Sequence, residues 1–315
     1  MKIVVYGPER RVGALLGDKL IDLNRASARL PARLLSFIEV GAPALDEARR
    51  VVEQFGKDSP RGDGVVYALS DVQLHAPWPE RRIACVGGNY AAHLLGMWAN
   101  RPGKADISVE EIAREAKKAG QWGFWKVATE VSGPSGTIPF PKRVTYFDYE
   151  GEVAIVIGKR GKNIPASKIN EYVWGVTLFH DWSIRDGGGI DRAVSYNLQK
   201  NFDGAASMGP CIVVGETDPQ DVDVETRVNG VVCQSYNTKE MIWDFGEVLE
   251  YLSQDFTFVP GDVIAGGTSA GTAADKSRRR PDGKRPLDLF LKVGDTVEVS
   301  SSKIGALSNK IVASE

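Results

Sequence analysis

The chain has 315 residues, and its 39 lysines and arginines nearly balance its 41 aspartates and glutamates, giving a formal net charge of −2. This balance argues against a nucleic-acid partner, which calls for a basic surface. A content of 43% hydrophobic and 25% charged residues excludes a mostly disordered chain, and 34 glycines favour a β-rich fold with many tight turns.

The first residues turn polar at Glu9 and Arg10, and no apolar run of 18 residues follows, so we expect a cytoplasmic protein without a membrane segment. The three cysteines, Cys85, Cys211 and Cys233, are widely spaced and form no CxxC pair. Neither a disulfide framework nor a zinc site is therefore predicted.

Residues 1–77 are predicted to form a small N-terminal α+β domain. Their apolar segments and turn residues indicate four strands and one helix. The strands are expected at 3–6, 14–16, 19–23 and 65–69, and the helix at 46–55. Two prolines on either side of Trp78 then break the pattern. We place the domain boundary there, with a second domain over residues 80–315.

The second domain begins with a buried-type strand, Ile83–Val86, and a short helix that carries His93. Ser108 and Glu111 form a capping-box pattern at the start of a helix at Val109–Ala119. Short apolar strands follow at 153–157, 173–179, 212–214, 225–228, 263–264 and 296–299. Residues 275–286 are basic and proline-flanked, and we interpret them as a solvated insertion.

Carboxylates are concentrated just before the strand predicted at 153–157. Because side chains alternate along a strand, Asp148, Glu150 and Glu152 share a face with Ala154 and Val156. Clustered carboxylates raise each other's pKa unless a cation lies among them, and hard divalent ions take such oxygen ligands. The pattern fits either a metal site or a solvated strand end.

A further carboxylate, Asp181, lies where the next apolar strand ends, and it is placed to complete a metal site with Glu150 and Glu152. Arg185 follows closely, and a guanidinium binds a carboxylate through two hydrogen bonds, so Arg185 is a candidate partner for an acidic substrate. For each of these residues taken singly, a surface salt bridge is the alternative.

The ordered motifs of residues 80–315 resemble those of the fumarylacetoacetate hydrolase family, and residues 1–77 resemble the small domain that precedes them in many bacterial members. The matching stretches are IACVGGNYAAH at 83–93, FWK at 124–126, DYEGEVAIVIG at 148–158, DWSIRD at 181–186, KNFD at 200–203, GP at 209–210, VNG at 228–230 with Gln234 and Thr238, PGDVI at 260–264 and GTSAG at 267–271. The resemblance implies a β-rich α+β fold, whose catalytic domain is a mixed β-sandwich or roll, and a homodimer. Residues 99–123 lie where the family has a lid.

The resemblance also implies that Glu150, Glu152 and Asp181 hold Mg²⁺ or Mn²⁺, or Ca²⁺ as in some relatives. The ion would chelate the oxo-carboxylate of the substrate and stabilise the enolate that forms when a neighbouring bond breaks. The implied catalytic residues are His93, Lys200 and Arg185. The implied substrate-binding residues are Arg185, Lys200, Thr268 and Tyr90.

His93 matches the family histidine that activates water in hydrolytic members. Many hydrolases and decarboxylases of the family place a glutamate three residues later, where this chain has Gly96. Either another acid orients His93, or the water-activating pair is absent and the chemistry differs. The candidates for a substitute acid are Glu110, Glu111 and Glu115.

We therefore expect a metal-dependent hydrolase that cleaves a C–C bond in a β-diketo or 2-oxo acid, such as an acylpyruvate. The alternative is a decarboxylase, isomerase or dehydratase that forms the same enolate, and Gly96 keeps this alternative open. A binding protein that keeps the metal without turnover is a third hypothesis, against which the intact acidic triad argues. The expected partner is a small-molecule substrate, with neither nucleic acid nor membrane.

Overall fold

The computed structural model describes residues 1–56, 64–98, 107–186, 194–278, 280, 282 and 284–314. In this part of the chain, the strands form a large sheet, a smaller sheet and a two-stranded ribbon. In chain order, the strands are β1 Lys2–Tyr6, β2 Arg11–Leu16, β3 Lys19–Asp22, β4 Val66–Ala68, β5 Leu74–His75, β6 Ile83–Val86, β7 Gly123–Lys126, β8 Thr137–Phe140, β9 Phe147–Asp148, β10 Gly151–Ile157, β11 Val173–Asp181, β12 Ser183–Ile184, β13 Ala206–Val213, β14 Asp223–Val228, β15 Val231–Asn237, β16 Val263–Ala265, β17 Thr296–Ser301 and β18 Gly305–Ala313.

The helices are short, and several are capped by side chains. They are α1 Leu23–Ala26, α2 Leu34–Val40, α3 Ala42–Phe55, α4 Ala91–Trp98, α5 Val109–Ala119, α6 Ile169–Tyr172, α7 Tyr196–Lys200, α8 Phe245–Leu252 and α9 Ala273–Lys276, with 3₁₀ turns at Leu69–Asp71, Ala166–Lys168, Thr238–Glu240 and Leu287–Leu289. The capping box predicted for α5 is present, because Ser108 and Glu111 each accept the other's backbone N–H.

The large sheet runs in the order β4-β3-β2-β1-β13-β11-β10-β16-β6-β7, and β5 also pairs with β1. Neighbouring strands are antiparallel apart from the pair β16 and β6. The N-terminal strands extend this same sheet, because β1 pairs with β13. The small sheet has the order β15-β14-β17-β18-β8, and β9 pairs with β12 in the ribbon.

Both faces of the large sheet are covered, and β10 shows how the sequence produces this. Val153 and Ile155 point into the core shared with the small sheet, where β10 lies against β14. The alternate residues, Ala154 and Val156, pack in a second core with Phe37 and other residues of α2 and α3. A strand buried on both faces in this way carries an almost continuous apolar run. The predicted β-rich α+β fold with a mixed β-sandwich is confirmed.

The predicted strands are present with shifted bounds: residues 14–16 are the end of the longer strand β2, and the predicted strand 212–214 overlaps the end of β13, which stops at Val213. Of the segment interpreted as a lid, residues 99–106 lie outside the described residues, and the remainder contains α5 and the start of β7. Among the described helices, none combines the length and the apolar character needed to cross a bilayer. The cytoplasmic localisation, the homodimer and the domain division stay predictions.

Candidate active site

The three predicted metal ligands converge where β10 begins and β11 ends. These strands are antiparallel neighbours, with Gly151 opposite His180, so the acids before and within β10 meet the acid that ends β11. One carboxylate oxygen each from Glu150, Glu152 and Asp181 lies within 4.8 Å of the other two, and all three side chains are buried. A solvated strand end, the alternative interpretation of these acids, is wrong for this triad.

Two lysines neutralise part of the triad's charge. The Nζ of Lys200, at the end of α7, donates to Asp181 and to the Ser183 hydroxyl, each at 2.6 Å, and it also contacts Glu150. The Nζ of Lys126, on β7, lies 2.7 Å from Asp181 and donates to the Lys200 carbonyl at 2.7 Å. The two ammonium groups therefore hold Asp181 from both sides.

Arg185 connects the triad to α9. Its Nε donates to Asp148 at 2.9 Å, and its terminal nitrogen contacts Glu150. Asp148 also accepts the N–H groups of Ala273 and Ala274, at 2.8 and 3.0 Å. Asp148 is thus a supporting acid outside the metal triad, and the strand predicted to carry these acids is interrupted between β9 and β10.

The ionisation of the triad is uneven. Burial, together with the charges of Asp181 and Glu150, raises the pKa of Glu152 well above its usual range. Burial acts in the same direction on Glu150, but Arg185 and Lys200 outweigh it and hold the pKa of that carboxyl well below its usual range. Glu152 accepts the N–H of Gly267 at 3.1 Å.

The donor set and its charge fit a divalent cation. Among the described residues, four buried carboxylates contact one another or share cations here: Asp148, Glu150, Glu152 and Asp181. The cations that face them are Lys126, Arg185 and Lys200. When all seven side chains are ionised, their net charge is therefore −1. Three converging carboxylate oxygens are the ligands that Mg²⁺ and Mn²⁺ prefer.

His93 lies on α4, and the buried side chain of Asn89 holds the chain in place just before this helix begins. The Asn89 amide donates to the carbonyls of Trp243 and Gly266, at 3.1 and 2.9 Å, and accepts the Trp243 N–H at 2.9 Å. The His93 Nδ1 lies 2.9 Å from the carboxylate of Asp275. Burial alone lowers the pKa of His93, but the charge of Asp275, its hydrogen bond and the charge of Glu150 together outweigh burial and raise the pKa above its usual value.

The acid that contacts His93 therefore comes from α9, and the expectation that it comes from α5 was wrong. Glu110, Glu111 and Glu115 lie on the exposed side of α5, where Glu111 caps the helix. The expectation that residues 275–286 are a solvated insertion was also wrong at its first residue, since the side chain of Asp275 is only 6% exposed.

A cavity of about 390 Å³ joins the triad to His93. Its polar side carries the triad, His93, Arg185, Lys200 and Thr268. Its apolar side is formed by Val86, Leu94, Met97, Trp98, Trp122, Phe124 and Tyr196. Gly87 is required beside Trp122, because a Cβ at this position would lie 2.1 Å from the indole ring.

The two remaining predicted substrate-binding residues lie in different places. Thr268 lines the cavity, where its hydroxyl donates to the Gly151 carbonyl at 2.9 Å and accepts from Gln234 at 2.8 Å. Tyr90 is buried in the core with its ring packed edge-on against Tyr236, outside the cavity wall. This placement does not support substrate contact by Tyr90.

Sequence reasoning missed Lys126, Ser183 and Asp275. A signal existed for Lys126, because a lysine within the short apolar strand β7 has to bury its amine next to an acid. No local signal marked Asp275, which lies 182 positions from His93 in the sequence.

The family model described as fumarylacetoacetate (FAA) hydrolase C-terminal matches residues 82–312. The chain is 33% identical over 311 residues to the oxaloacetate tautomerase fahd2, mitochondrial, of Xenopus laevis, with 97% of this chain and 87% of the relative covered. It is also 33% identical over 312 residues to the oxaloacetate tautomerase YisK of Bacillus subtilis, with 95% of each covered. The solved fumarylacetoacetate hydrolase from Exiguobacterium antarcticum is 30% identical, with a TM-score of 0.72 over 100% of both chains.

The chain belongs to the fumarylacetoacetate hydrolase family. It is an enzyme of this family, whose similar members carry the names of tautomerases and of hydrolases. Membership therefore supports the predicted isomerase alternative at least as well as the C–C hydrolase expected first.

Proposed function

We propose that this chain is a metal-dependent isomerase of 2-oxo acids, which interconverts the keto and enol forms of oxaloacetate or a close analogue. The observation that carries this proposal is the opening of the buried triad of Glu150, Glu152 and Asp181 into the same cavity as His93. Two relatives at 33% identity, both named as oxaloacetate tautomerases, support the choice of substrate.

The triad would hold Mg²⁺ or Mn²⁺. When bound, such an ion polarises the 2-oxo group and stabilises negative charge on its oxygen. Lys200 and Arg185, the other predicted catalytic residues, both contact Glu150. We propose that they act chiefly by keeping this carboxylate ionised and ready to bind the ion.

His93 is the proposed proton carrier. In the enol-to-keto direction, the enol hydroxyl loses a proton, its O–H electrons form the C2=O double bond, and the C2=C3 electrons take up a proton at C3. No carbon bond breaks, and the proton count is unchanged. Because His93 lines the cavity and has a pKa above its usual value, it can accept and return a proton near neutral pH.

Hydrolysis of a C–C bond is the second candidate, and the contact of His93 with Asp275 favours it. A histidine held by a carboxylate is suited to taking a proton from water. The similar structure from Exiguobacterium antarcticum carries the name of a hydrolase. On an acylpyruvate, water addition would give pyruvate and a second acid.

The two candidates differ in their products. Protein loaded with Mn²⁺ is mixed with the enol form of oxaloacetate, enol absorbance is followed, and products are identified by mass spectrometry. We expect faster enol decay with all four carbons retained, and loss of this activity in Glu150→Gln. The matched control is Glu53→Gln on α3, an exposed carboxylate that does not line the cavity.

Other products would identify a different activity. Pyruvate with CO₂ would make the enzyme a decarboxylase, and pyruvate with a second acid from acylpyruvates would establish the hydrolase. Unchanged enol decay beside metal-free controls would overturn the tautomerase proposal.

We further propose that residues 80–315 carry this function and that residues 1–77 form the small N-terminal domain. The family match over residues 82–312 supports the division. In the described part of the segment predicted as a lid, residues 107–123, Trp122 contributes to the apolar side of the cavity, which supports a lid role for these residues.

A further inference from the structure

Gly96 and Asp275 occupy one space. Gly96 lies on α4 three positions after His93, and α4 packs against α9. A Cβ at Gly96 would lie 2.7 Å from the Cβ of Asp275 and 3.0 Å from its Cα and Cγ. Any side chain at position 96 would therefore displace Asp275, and it is the glycine that lets the carboxylate reach the Nδ1 of His93.

The carboxylate of Asp275 is held in a fixed orientation. It accepts the N–H groups of Gly271 and Thr272, at 3.0 and 3.1 Å, and its own N–H donates to the Thr272 hydroxyl at 3.2 Å. Gly271 has a φ of +106°, and a Cβ there would lie 2.1 Å from the Cys233 carbonyl oxygen. The turn before α9 is thus locked by packing as well as by hydrogen bonds.

We propose that Asp275 is the positioning residue of His93, supplying from α9 the carboxylate for which position 96 on α4 has no side chain. This inference rests on the proposed function, in which His93 carries the proton. Asp275 accepts the Nδ1–H of the ring, so the lone pair that serves the substrate lies on Nε2. The same carboxylate stabilises the imidazolium when Nε2 takes a proton.

Replacing the carboxylate by an amide tests this role. In Asp275→Asn the side-chain amide can donate to Nδ1, which favours the opposite ring tautomer and places the proton on Nε2. We expect kcat to fall by about 10- to 100-fold, with KM and Mn²⁺ affinity unchanged, because Asp275 lies neither in the triad nor on the cavity wall. Asp275 is also the acid of the α9 capping box, and the matched control is Glu247→Gln, which neutralises the acid at the same position of the α8 capping box.

The pH dependence separates positioning from folding. The charged groups that act on His93 are Asp275, Glu150 and Arg185. Without the Asp275 charge, burial dominates and the pKa of His93 falls, so the acidic limb of kcat/KM moves to lower pH. Reduced activity with an unmoved acidic limb would assign Asp275 a structural role only and overturn the proposal.

Moving the carboxylate from position 275 to position 96 tests whether activity is restored. Gly96→Glu/Asp275→Gly is compared with Asp275→Gly, since both lack the acid at the start of α9 and differ only in the new carboxylate on α4. We expect the double variant to be at least about tenfold more active, and Gly96→Glu alone to be impaired by the clash. Equal activities of the two Asp275→Gly proteins, both folded and metal-loaded, would contradict the proposal.

A readout independent of turnover distinguishes failure of this inference from failure of the proposed function. Histidine ¹⁵N NMR reports which ring nitrogen carries the proton, and the chain has only three histidines. We expect the Nδ1–H tautomer for His93 in the wild-type protein and its loss in Asp275→Asn. If that holds while oxaloacetate is not turned over, the substrate is wrong and the positioning role stands; an Nε2–H tautomer in the wild-type protein overturns the role itself.

Discussion

Glu152 differs from Glu150 in its immediate surroundings, and the difference has a measurable effect on stability. Glu150 contacts Lys200 and Arg185, whereas Glu152 faces the charges of Asp181 and Glu150 and has its pKa raised well above the usual 4.5. A carboxyl with a raised pKa binds a proton more tightly in the folded state than in the unfolded state. Its effect on folding therefore becomes unfavourable as the pH rises above 4.5.

We therefore predict that metal-free Glu152→Gln is more stable than the metal-free wild-type protein at pH 7. The wild-type free energy of unfolding should fall by up to about 1.4 kcal/mol per pH unit above the usual glutamate pKa, and the variant should lack this part of the slope. Urea unfolding at a series of pH values in EDTA measures both. Glu150 affects a separate range, since its lowered pKa costs stability only as the pH falls below 4.5.

With metal bound, we predict that the wild-type protein is more stable than Glu152→Gln. Saturating Mn²⁺ should stabilise the wild-type protein strongly and Glu152→Gln weakly, because binding to the folded state adds stability in proportion to affinity. Parallel pH slopes for the two metal-free proteins would show that Glu152 ionises normally.

At the scale of the elements, the start of α4 depends on one buried amide. Asn89 is fully buried, and Asn89→Ala leaves three backbone groups without this partner: the Trp243 N–H and the carbonyls of Trp243 and Gly266. Each unsatisfied buried group costs about 1–3 kcal/mol, and we predict a loss of stability of at least about 3 kcal/mol. Because α4 also carries His93, kcat should fall while Mn²⁺ affinity is retained.

Urea unfolding and isothermal titration with Mn²⁺ measure these effects, with the exposed Asn170→Ala on α6 as the control. A folded Asn89→Ala protein with wild-type kcat would show that the position of His93 does not depend on this anchor.

Elements that depend on nearby residues could be predicted from the sequence, and contacts between distant elements could not. The almost continuous apolar run of β10 and the capping box of α5 are local signals, and both are present in the structure. The convergence of Glu150, Glu152 and Asp181 needs only the pairing of two adjacent antiparallel strands. The contact of His93 with Asp275 depends on how α4 packs against α9, for which no spacing in the sequence gives a signal. Tyr90 shows the same limit, since its motif did not reveal that its ring packs against Tyr236.

At the scale of the whole molecule, the large and the small sheet come into close contact at Gly151, next to the triad. A Cβ at Gly151 would lie 2.1 Å from the hydroxyl of Thr226 on β14 and 3.0 Å from Val299 on β17. Gly151 lies directly between two of the triad's acids in the chain, and its carbonyl accepts from Thr268. The spacing of the sheets and the geometry of the triad are therefore linked at this one residue.

We predict that Gly151→Ala destabilises the protein by about 1–3 kcal/mol, the usual effect of overpacking a core, and weakens Mn²⁺ binding by shifting the neighbouring carboxylates. Thr226→Ala alone should cost little polar stabilisation, because the Thr226 hydroxyl is buried without a hydrogen-bond partner among the described residues. In the double variant, the new Cβ at position 151 would lie 3.4 Å from the Cβ of residue 226, which is an ordinary packing distance. Its contact with Val299 would persist. Gly151→Ala/Thr226→Ala should therefore regain part of both the stability and the affinity, as measured by urea unfolding and Mn²⁺ titration. Strictly additive effects of the two substitutions would show that the sheets do not meet through this pair.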